Sequence, residues 1–395
     1  MAEAILTLNA GSSSLKVGLF RRVGADRLEL AVRAEVAEPA TAPHFSARDA
    51  GGALLEKLDW PQAANDFRVI AQKVVGWASR HLAGDRLLAV GHRIVHGGSA
   101  YIAPKLLTQD LIEALDRLSP LAPLHLPQNL VPVRAIAAAY PDMAQVACFD
   151  TAFHHTMPPV AARFALPRNY EAEGVRRYGF HGLSYEYIAG RLKDVSPRLA
   201  RGRTIVAHLG NGASLCALRA GISIDTTMGF SVLDGLVMGT RPGTLDAGVV
   251  LYLQQHHGMS ASEIEDLLYR HSGLLGVSGG IASDMRTLLA SPEPAAREAV
   301  ELFVYRLARE AGALAGSLGG VDGLVFTGGI GEHSAPIRAA VAERLAWLGL
   351  EMDAKANARG EALLSTPDSG LELRIVPTDE EIMIARHTLK LAAGR

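Results

Sequence analysis

Apolar runs separated by short turns rich in glycine and serine recur along the chain, and two of them have the same layout. Ile5 to Leu8 and Leu15 to Phe20 predict strands around the polar turn Asn9–Ser14. Ile205 to Leu218 repeats the arrangement around the turn Gly210–Ala213. Two such hairpins about half a chain apart predict a duplicated α/β fold with a cleft between the copies.

The remaining pattern alternates between strands and helices. Helical spacing is clear where Phe67, Ile70, Val74 and Trp77 recur at three and four residues. The predicted helices are Asp66–His81, Thr108–Leu118, Ser184–Leu192, Leu245–His257, Ser260–His271, Glu293–Leu318, one from about Ser334, and one after Pro377. Further strands are expected at Leu28–Val36, Leu87–Val90, Gln145–Phe149, Gly323–Phe326 and Arg374–Val376. Ala37–Ala53 and Gly91–Gly98 are expected to be loops, and Met157–Glu173 a linker between domains.

Composition narrows the class of protein. A chain of 395 residues exceeds one ordinary core, so we expect two domains. The net charge of −2 gives no electrostatic footprint for nucleic acid or an anionic membrane. Cys148 and Cys216 lie in apolar runs and read as buried thiols of a reducing compartment. With no signal peptide and no membrane-spanning run evident, the expected location is the cytoplasm.

Charged residues follow several predicted strands, where α/β proteins place ligands. Arg93 lies among glycines after one strand, and Arg241 lies in a second glycine-rich loop. Arg can bind a carboxylate or phosphate bidentately. Asp150 follows a buried strand and His181 lies between glycines. Taken singly, the Arg93 loop could be a solvated basic loop, Asp150 a cap, and His181 structural.

Phosphate binding is indicated by three stretches. The turn Asn9–Ser14 offers hydroxyls and backbone N–H groups, with Lys16 close by. Thr327–Glu332 is a glycine-rich loop between a strand and a helix. It is not a Walker A loop, and the His-Arg-Asp set of protein kinases is missing. Glu380 and Glu381 begin the last helix, where they could stabilise its dipole or hold Mg²⁺.

Together these motifs resemble the acetate kinase family, within the acetate- and sugar-kinase/Hsp70/actin superfamily. The resemblance covers essentially the whole chain in order. Its motifs are NAGSSSLK from Asn9, GHRIVHGG from Gly91, APLH from Ala122, FDTAFH from Phe149, RYGFHG from Arg177, HLGNG from His208, DTTMGF from Asp225, MGTR from Met238, FTGGIGE from Phe326 and PTDEE from Pro377.

The resemblance implies a role for each candidate residue. Arg93 and Arg241 would bind the acetate carboxylate and the migrating phosphoryl group, His181 would stabilise the transition state, and Asp150 would position metal or substrate. Asn9 and Glu380 would serve Mg²⁺, with Mn²⁺ as a substitute. The implied acyl pocket is Val95, Leu124, Phe180 and Val232. The implied ATP-binding residues are Ser12, Ser14, Lys16, His208, Leu209, Gly210, Asn211, Gly212, Asp284, Met285, Arg286, Gly329, Ile330, Gly331 and Glu332.

The chemistry favours an acid acceptor over a sugar. A sugar hydroxyl needs a general base, whereas acetate is already ionised and meets repulsion between two anions instead. Two Arg, a His and Mg²⁺ address that repulsion. The expected reaction is therefore reversible phosphoryl transfer from ATP to acetate, giving acetyl phosphate and ADP.

One departure from the family pattern leaves the acid open. The family has Pro where this chain has Val232, and that Pro lines the acyl pocket. A propionate kinase is therefore the alternative within the class, and a non-kinase ATPase of the actin/Hsp70 type is the alternative outside it.

The resemblance also implies a two-domain, actin-like fold in which each domain is ribonuclease H-like. The first domain would span residues 1–155, with a C-terminal helix at 380–395 packed on it. Residues 156–379 would bind nucleotide and form a homodimer. Metabolic coupling to a phosphate acetyltransferase is implied as well.

Overall fold

A computed structural model gives the structure of the chain, and it describes residues 3–11, 14–38, 41–64, 66–82 and 84–394. Ser12, predicted to bind ATP, lies outside the described residues. The chain divides into two compact units. The first comprises the residues up to Phe153 and those from Asp379 onward, and the second comprises His154–Thr378.

The first unit contains an eight-stranded sheet in the order β5-β4-β3-β2-β1-β6-β8-β7. Its strands are β1 (Glu3–Ala10), β2 (Ser14–Arg22), β3 (Leu28–Ala37), β4 (His44–Asp49), β5 (Leu54–Asp59), β6 (Arg86–Ile94), β7 (Lys105–Leu106) and β8 (Ala144–Phe149). Its helices are α1 (Phe67–His81), α2 (Gln109–Asp116), α3 (Leu126–Ala139) and α16 (Glu380–Ala392).

The second unit contains a five-stranded sheet in the order β11-β10-β9-β12-β13. Its strands are β9 (Arg203–Leu209), β10 (Ala213–Arg219), β11 (Ile222–Thr226), β12 (Gly323–Thr327) and β13 (Glu372–Ile375). Its helices are α4 (Pro159–Ala162), α5 (Arg168–Ala172), α6 (Gly182–Val195), α7 (Pro197–Arg201), α8 (Ala247–His256), α9 (Ala261–Arg270), α10 (Gly273–Val277), α11 (Met285–Ala290), α12 (Pro294–Leu318), α13 (Gly328–His333), α14 (Ala335–Arg344) and α15 (Ala354–Arg359).

The two sheets share one topology. In the first, β2 pairs antiparallel with β1 and β3, while β6 runs parallel to β1 and β8. In the second, β10 pairs antiparallel with β9 and β11, while β12 runs parallel to β9 and β13. The predicted duplication is therefore confirmed at the level of strand order and direction.

Each sheet is covered by helices because its strands are apolar on both faces. In the first unit, Ile70, Val74 and Trp77 of α1 join one core with side chains of β1 to β4. On the other face, Ala385 and Leu389 of α16 pack with residues of β1, β2 and β6. In the second unit, α12 packs along β9, β10 and β11. Its end is set by Gly319, whose φ of 68° is the left-handed conformation of a helix C-cap.

Three local predictions are wrong. Residues 37–53, expected to be a loop, include β4 and lead directly into β5, because alternating burial of Phe45 and Ala47 outweighs the flanking Pro and Gly. The strand expected at Leu87–Val90 runs on as β6 to Ile94, so Arg93 lies in a strand and not in a loop. The stretch 157–173 is no plain linker, since α4 and α5 start at its prolines.

None of the helices within the described residues is long and apolar enough to cross a lipid bilayer.

Candidate active site

In the first unit, Arg93 and Asp150 lie at the carboxyl ends of neighbouring parallel strands. Asp150 directly follows β8, and its backbone N–H donates to the Ile94 carbonyl at the end of β6. Arg93 Nη2 lies 2.5 Å from Asp150 Oδ2. The Asp150 side chain is completely buried and that of Arg93 is 18% exposed. The carboxylate thus fixes a guanidinium that still faces solvent on one side.

A second acidic group lies beside this pair, at the start of α16. Asn9, at the end of β1, donates through Nδ2 to Glu380 Oε2 at 3.1 Å and to Glu381 Oε1 at 3.4 Å. Its Oδ1 accepts from Arg93 Nη1 at 3.4 Å. Asn9 therefore connects the basic and acidic parts of the cluster.

The charges in this cluster shift one another's protonation. Burial raises the pKa of the Glu380 carboxyl, and nearby Asp150 adds to the effect, against the opposing Arg93 charge. Burial also raises the pKa of Glu381, with Glu380 adding to it. Burial lowers the pKa of Arg93, but the Asp150 and Glu380 charges outweigh it, so the net pKa is raised. Closely spaced, partly buried carboxylates of this kind favour an added cation.

The donors suit magnesium. Glu380, Glu381, Asp150 and the Asn9 amide offer oxygen, the ligand that Mg²⁺ prefers. Within the described residues, no three His, Cys, Asp or Glu side chains form a ready-made metal cage. Mg²⁺ is commonly held by one or two carboxylates, while waters and phosphates complete its shell.

In the second unit, His181 and Arg241 approach the turn after β9. A Cβ added at Gly212 would lie 2.8 Å from Arg241 Nη2 and 3.4 Å from His181 Nε2. A larger residue at this position would displace the end of the Arg241 side chain. His181 has a φ of 57°, which is uncommon for a residue other than glycine, and it immediately precedes α6. A cation, an imidazole nitrogen and the turn's backbone thus converge, as an oxyanion requires.

Two histidines at this turn, His181 and His208, are held by hydroxyl groups. His181 Nδ1 lies 2.8 Å from Ser214 Oγ, and its ring stacks on His208 with centroids 4.3 Å apart. His208 Nδ1 lies 2.8 Å from Ser184 Oγ. Ser184 Oγ in turn lies 2.9 Å from Thr378 Oγ1.

A cavity of about 800 Å³ opens beside the same turn. Its size is within the range of small-molecule sites. The lining residues are Gly210, Asn211, Ser283, Asp284, Met285, Arg286, Leu289, Ala290, Gly329, Ile330, His333, Ser334 and Pro336. Asp284 caps α11 by accepting from the Thr287 N–H, which lowers the pKa of its carboxyl.

The structure brings seven of the fifteen predicted nucleotide residues to this cavity. The predicted residues that line the cavity are Gly210, Asn211, Asp284, Met285, Arg286, Gly329 and Ile330. Leu209 is instead fully buried in the strand, and Gly331 is buried inside α13. Glu332 Oε1 accepts from the backbone N–H groups of Gly328 and Thr378, so it ties the loop together. Ser14 and the exposed Lys16 begin β2 in the first unit, opposite β1, where Lys16 pairs with Asn9.

The predicted acyl-pocket residues divide between the units. Val95 is buried just after β6, and its N–H donates to Asn129 Oδ1 at 2.8 Å. Leu124 is half-buried ahead of α3. Phe180 and Val232 belong to the second unit, where both are buried.

Known proteins resemble this chain over its full length. The sequence profile of the Acetokinase family matches residues 4–386. An acetate kinase of Rhodopseudomonas palustris strain TIE-1 is 52% identical, with 100% of each chain covered. The chain belongs to the acetokinase family. The predicted family is thereby confirmed.

Solved structures of two related kinases share the fold of this acetokinase chain. A propionate kinase of Francisella tularensis superposes with a TM-score of 0.89 at 34% identity, covering 98% of both chains. An acetate kinase of Porphyromonas gingivalis gives 0.86 at 35% identity, covering 98% of this chain and 99% of that one. The predicted two-domain α/β fold of the actin-like type is confirmed.

Several residues around the site of this acetokinase chain were not predicted from the sequence. Ser214 contacts His181 directly, and Tyr185 is connected to His181 through the Ser214 hydroxyl. Arg338, only 1% exposed, donates to the carbonyls of Gly331 and Glu332 behind the cavity. A lone Arg or Ser on a helix or strand carries no sequence signal of this kind.

Proposed function

We propose that this chain transfers the γ-phosphoryl group of ATP to acetate, reversibly, giving acetyl phosphate and ADP. Family membership and the 52% identity to an acetate kinase support the reaction class. The observation that carries the proposal is the convergence of Arg241 and His181 on the Gly212 turn, beside a cavity large enough for a nucleoside. That arrangement would neutralise the charge of a migrating phosphoryl group.

The proposed step is a direct in-line displacement. An oxygen of the acetate carboxylate forms a bond to the γ-phosphorus, and the bond from phosphorus to the β–γ bridging oxygen breaks, so ADP leaves with the electron pair. No proton is transferred. Arg241 and His181 would neutralise the equatorial phosphoryl oxygens, while Arg93 would bind the acetate carboxylate.

Asp150 is assigned to positioning. Its carboxylate is buried against Arg93 at 2.5 Å, an arrangement that holds a guanidinium rather than abstracts a proton. Replacing it by Asn should weaken the hold on Arg93, so kcat should fall and the requirement for Mg²⁺ should change. Full activity with an unchanged Mg²⁺ dependence would overturn this assignment.

Asn9, Glu380 and, through water, Asp150 are the residues that would hold Mg²⁺, with Mn²⁺ as a substitute. The ion would supply charge to the β- and γ-phosphate oxygens. Because the pKa values of Glu380 and Glu381 are raised, these carboxyls must lose protons before a cation binds. Mg²⁺ affinity should therefore fall as the pH is lowered.

Propionate is the second candidate substrate. Val232 is buried where the family pattern has Pro, and a propionate kinase superposes on this chain with a TM-score of 0.89. The acid preference therefore has to be measured.

The test traps acyl phosphate with hydroxylamine, using purified protein, Mg-ATP, and acetate, propionate or butyrate in parallel. We expect a signal that is strongest with acetate and is lost in Arg241→Gln. Arg270→Gln is the matched control, because Arg270 is an exposed Arg of the same unit, paired with Asp266. A maximum at propionate would transfer the assignment to the second candidate. ATP hydrolysis without hydroxamate from any acid would replace it with a non-kinase ATPase.

A homodimer formed through the second unit is part of the same proposal. Its support is α8, none of whose residues is buried although the sequence is largely apolar. The cytoplasmic location and the metabolic coupling to a phosphate acetyltransferase stay predictions from the family.

A further inference from the structure

His181 is connected to two buried hydroxyl groups in series. Its Nδ1 lies 2.8 Å from Ser214 Oγ, and Ser214 Oγ lies 2.5 Å from the Tyr185 hydroxyl. Ser214 and Tyr185 are both fully buried. Ser214 belongs to β10 and Tyr185 to α6, the helix that His181 itself precedes.

The order of donors in this chain follows from acidity. A phenol is a far stronger acid than a serine alcohol, which favours Tyr185 as the donor to Ser214. With Tyr185 as that donor, the single hydroxyl hydrogen of Ser214 is left for Nδ1 of His181. The neutral imidazole carries its own hydrogen on Nε2 in consequence.

Nε2 is the nitrogen on the side of the phosphate-binding turn. It is the His181 atom nearest to the Cβ position at Gly212, at 3.4 Å, with Arg241 Nη2 at 2.8 Å from the same point. A carboxylate at the place of Ser214 would hold a hydrogen on Nδ1 and leave Nε2 of the neutral ring as an acceptor. The hydroxyl pair leaves it a donor instead.

We propose that Ser214, held by Tyr185, is a positioning residue that orients His181 and keeps a hydrogen on its Nε2 for the migrating phosphoryl group. The pair would act without touching substrate. The kinetic part of this inference rests on the proposed phosphoryl transfer, whereas its hydrogen-bond part concerns the protein alone.

The first experiment needs no activity. The ¹⁵N spectrum of His-labelled protein at pH 8, assigned with His181→Gln, should show His181 protonated at Nε2 and accepting at Nδ1. Ser214→Ala should shift the Nδ1 signal. A hydrogen on Nδ1 of the neutral ring, or a spectrum indifferent to Ser214→Ala, overturns the proposal even if the protein makes no acyl phosphate.

The second experiment is a double-mutant cycle on acyl phosphate formation. Ser214→Ala should lower kcat about 10-fold and Tyr185→Phe about 3-fold, with KM values for acid and ATP within about twofold, since orientation acts in the transition state. In a His181→Ala background, Ser214→Ala should cost nothing further. Additive losses would show that Ser214 acts independently of His181 and would overturn the proposal.

Thr204→Val is the matched control. Thr204 is another fully buried hydroxyl of the same sheet, on β9, and it donates to the Leu199 carbonyl at 3.0 Å, away from His181. It should leave the His181 spectrum and kcat unchanged while changing stability by about as much as Ser214→Ala. An equal loss of kcat in the control would assign the Ser214 effect to packing and reject the positioning role.

Discussion

Arg241 is anchored to the backbone of Val232: its Nη1 donates to the Val232 carbonyl at 2.8 Å. The contact uses the main chain, so the side chain at position 232 can change without removing it. Arg241, proposed to act in phosphoryl transfer, therefore lies next to Val232, proposed to select the acid. The Val232 side chain can nevertheless be replaced without removing the hydrogen bond that holds Arg241.

Val232→Ala should relax the acid preference while keeping the Arg241 anchor. One or two methylene equivalents in a pocket alter discrimination by about 10-fold, so the ratio of kcat/KM for butyrate over acetate should rise by about that factor. Val304→Ala, at an equally buried valine of α12, is the control and should leave the ratio unchanged. An unchanged ratio in Val232→Ala would remove this residue from the acyl pocket.

Gly212→Ala should impair transfer with little effect on folding. The new Cβ would meet Arg241 Nη2 at 2.8 Å, and the far end of that side chain can move away. A displaced guanidinium no longer aligns with the phosphoryl group, so kcat should fall by about 10-fold or more, on the scale of one lost donor to an oxyanion.

Gly190→Ala is the matched control, because Gly190 lies in α6 with nothing within 4 Å of its Cβ position. It should keep full activity and raise the melting temperature slightly, as alanine favours helix over glycine. Full activity in Gly212→Ala would show that the convergence at this turn is not used.

Arg338→Met should destabilise the second unit and weaken nucleotide binding. The buried guanidinium donates to the carbonyls of Gly331 and Glu332 and to both Oδ1 and the carbonyl of Asn357. Losing these bonds leaves buried acceptors unpaired, which should cost about 3 kcal/mol in urea unfolding. Calorimetry with ADP should show weaker binding, because α13 forms part of the cavity wall.

Arg191→Met is the comparison for that variant, since Arg191 is an exposed α6 residue paired with Asp194. Its effect on unfolding should stay within about 0.5 kcal/mol. Equal effects of the two substitutions would mean that Arg338 does not support the cavity.

Acidification should destabilise the first unit through two buried histidines. Burial lowers the pKa of His92 to about 4, against the opposing effect of the hydrogen bond that Gln145 Oε1 accepts from it, and burial lowers the pKa of His96 to about 4 as well. The unfolded chain takes up these protons near pH 6.5 and the folded chain does not. The free energy of unfolding should therefore fall between about pH 6.5 and 4, by up to about 3 kcal/mol for each histidine.

Urea unfolding at pH 7, 6 and 5 measures this loss. His92→Gln should remove about half of the histidine-dependent part of the slope, whereas the exposed His155→Gln should leave the slope as it is. A slope unchanged by His92→Gln would show that His92 does not titrate on unfolding.

A charged residue introduced on α8 should dissociate the proposed homodimer. Leu251 and Tyr252 are 53% and 52% exposed on a helix with no buried residue. Leu251→Asp should shift the mass measured by light scattering from dimer to monomer, because an unpaired charge in an apolar interface is costly. Val160→Asp, at an 83% exposed valine of α4, should not. A wild-type chain that is monomeric at all concentrations would reject the homodimer.

The α/β class, the duplicated hairpins and the family can all be predicted from the amino-acid sequence. These depend on local patterns: alternation of apolar residues, turn glycines, and motifs whose order survives along the chain. Arg93, Asp150, His181 and Arg241 could also be named from the sequence, because they lie in motifs that resemble those of the family.

The groups that hold those side chains could not be predicted, because they come from distant parts of the chain. The Asp150–Arg93 pair is brought together by two parallel strands, and the Ser214–Tyr185 pair by a strand and a helix, so neither is adjacent in sequence. The strand β4 was not predicted, because its buried side chains can be identified only once β4 is paired with β3 in the sheet. Long-range pairing of this kind depends on which surfaces pack together, and that information is not local to any stretch of the chain.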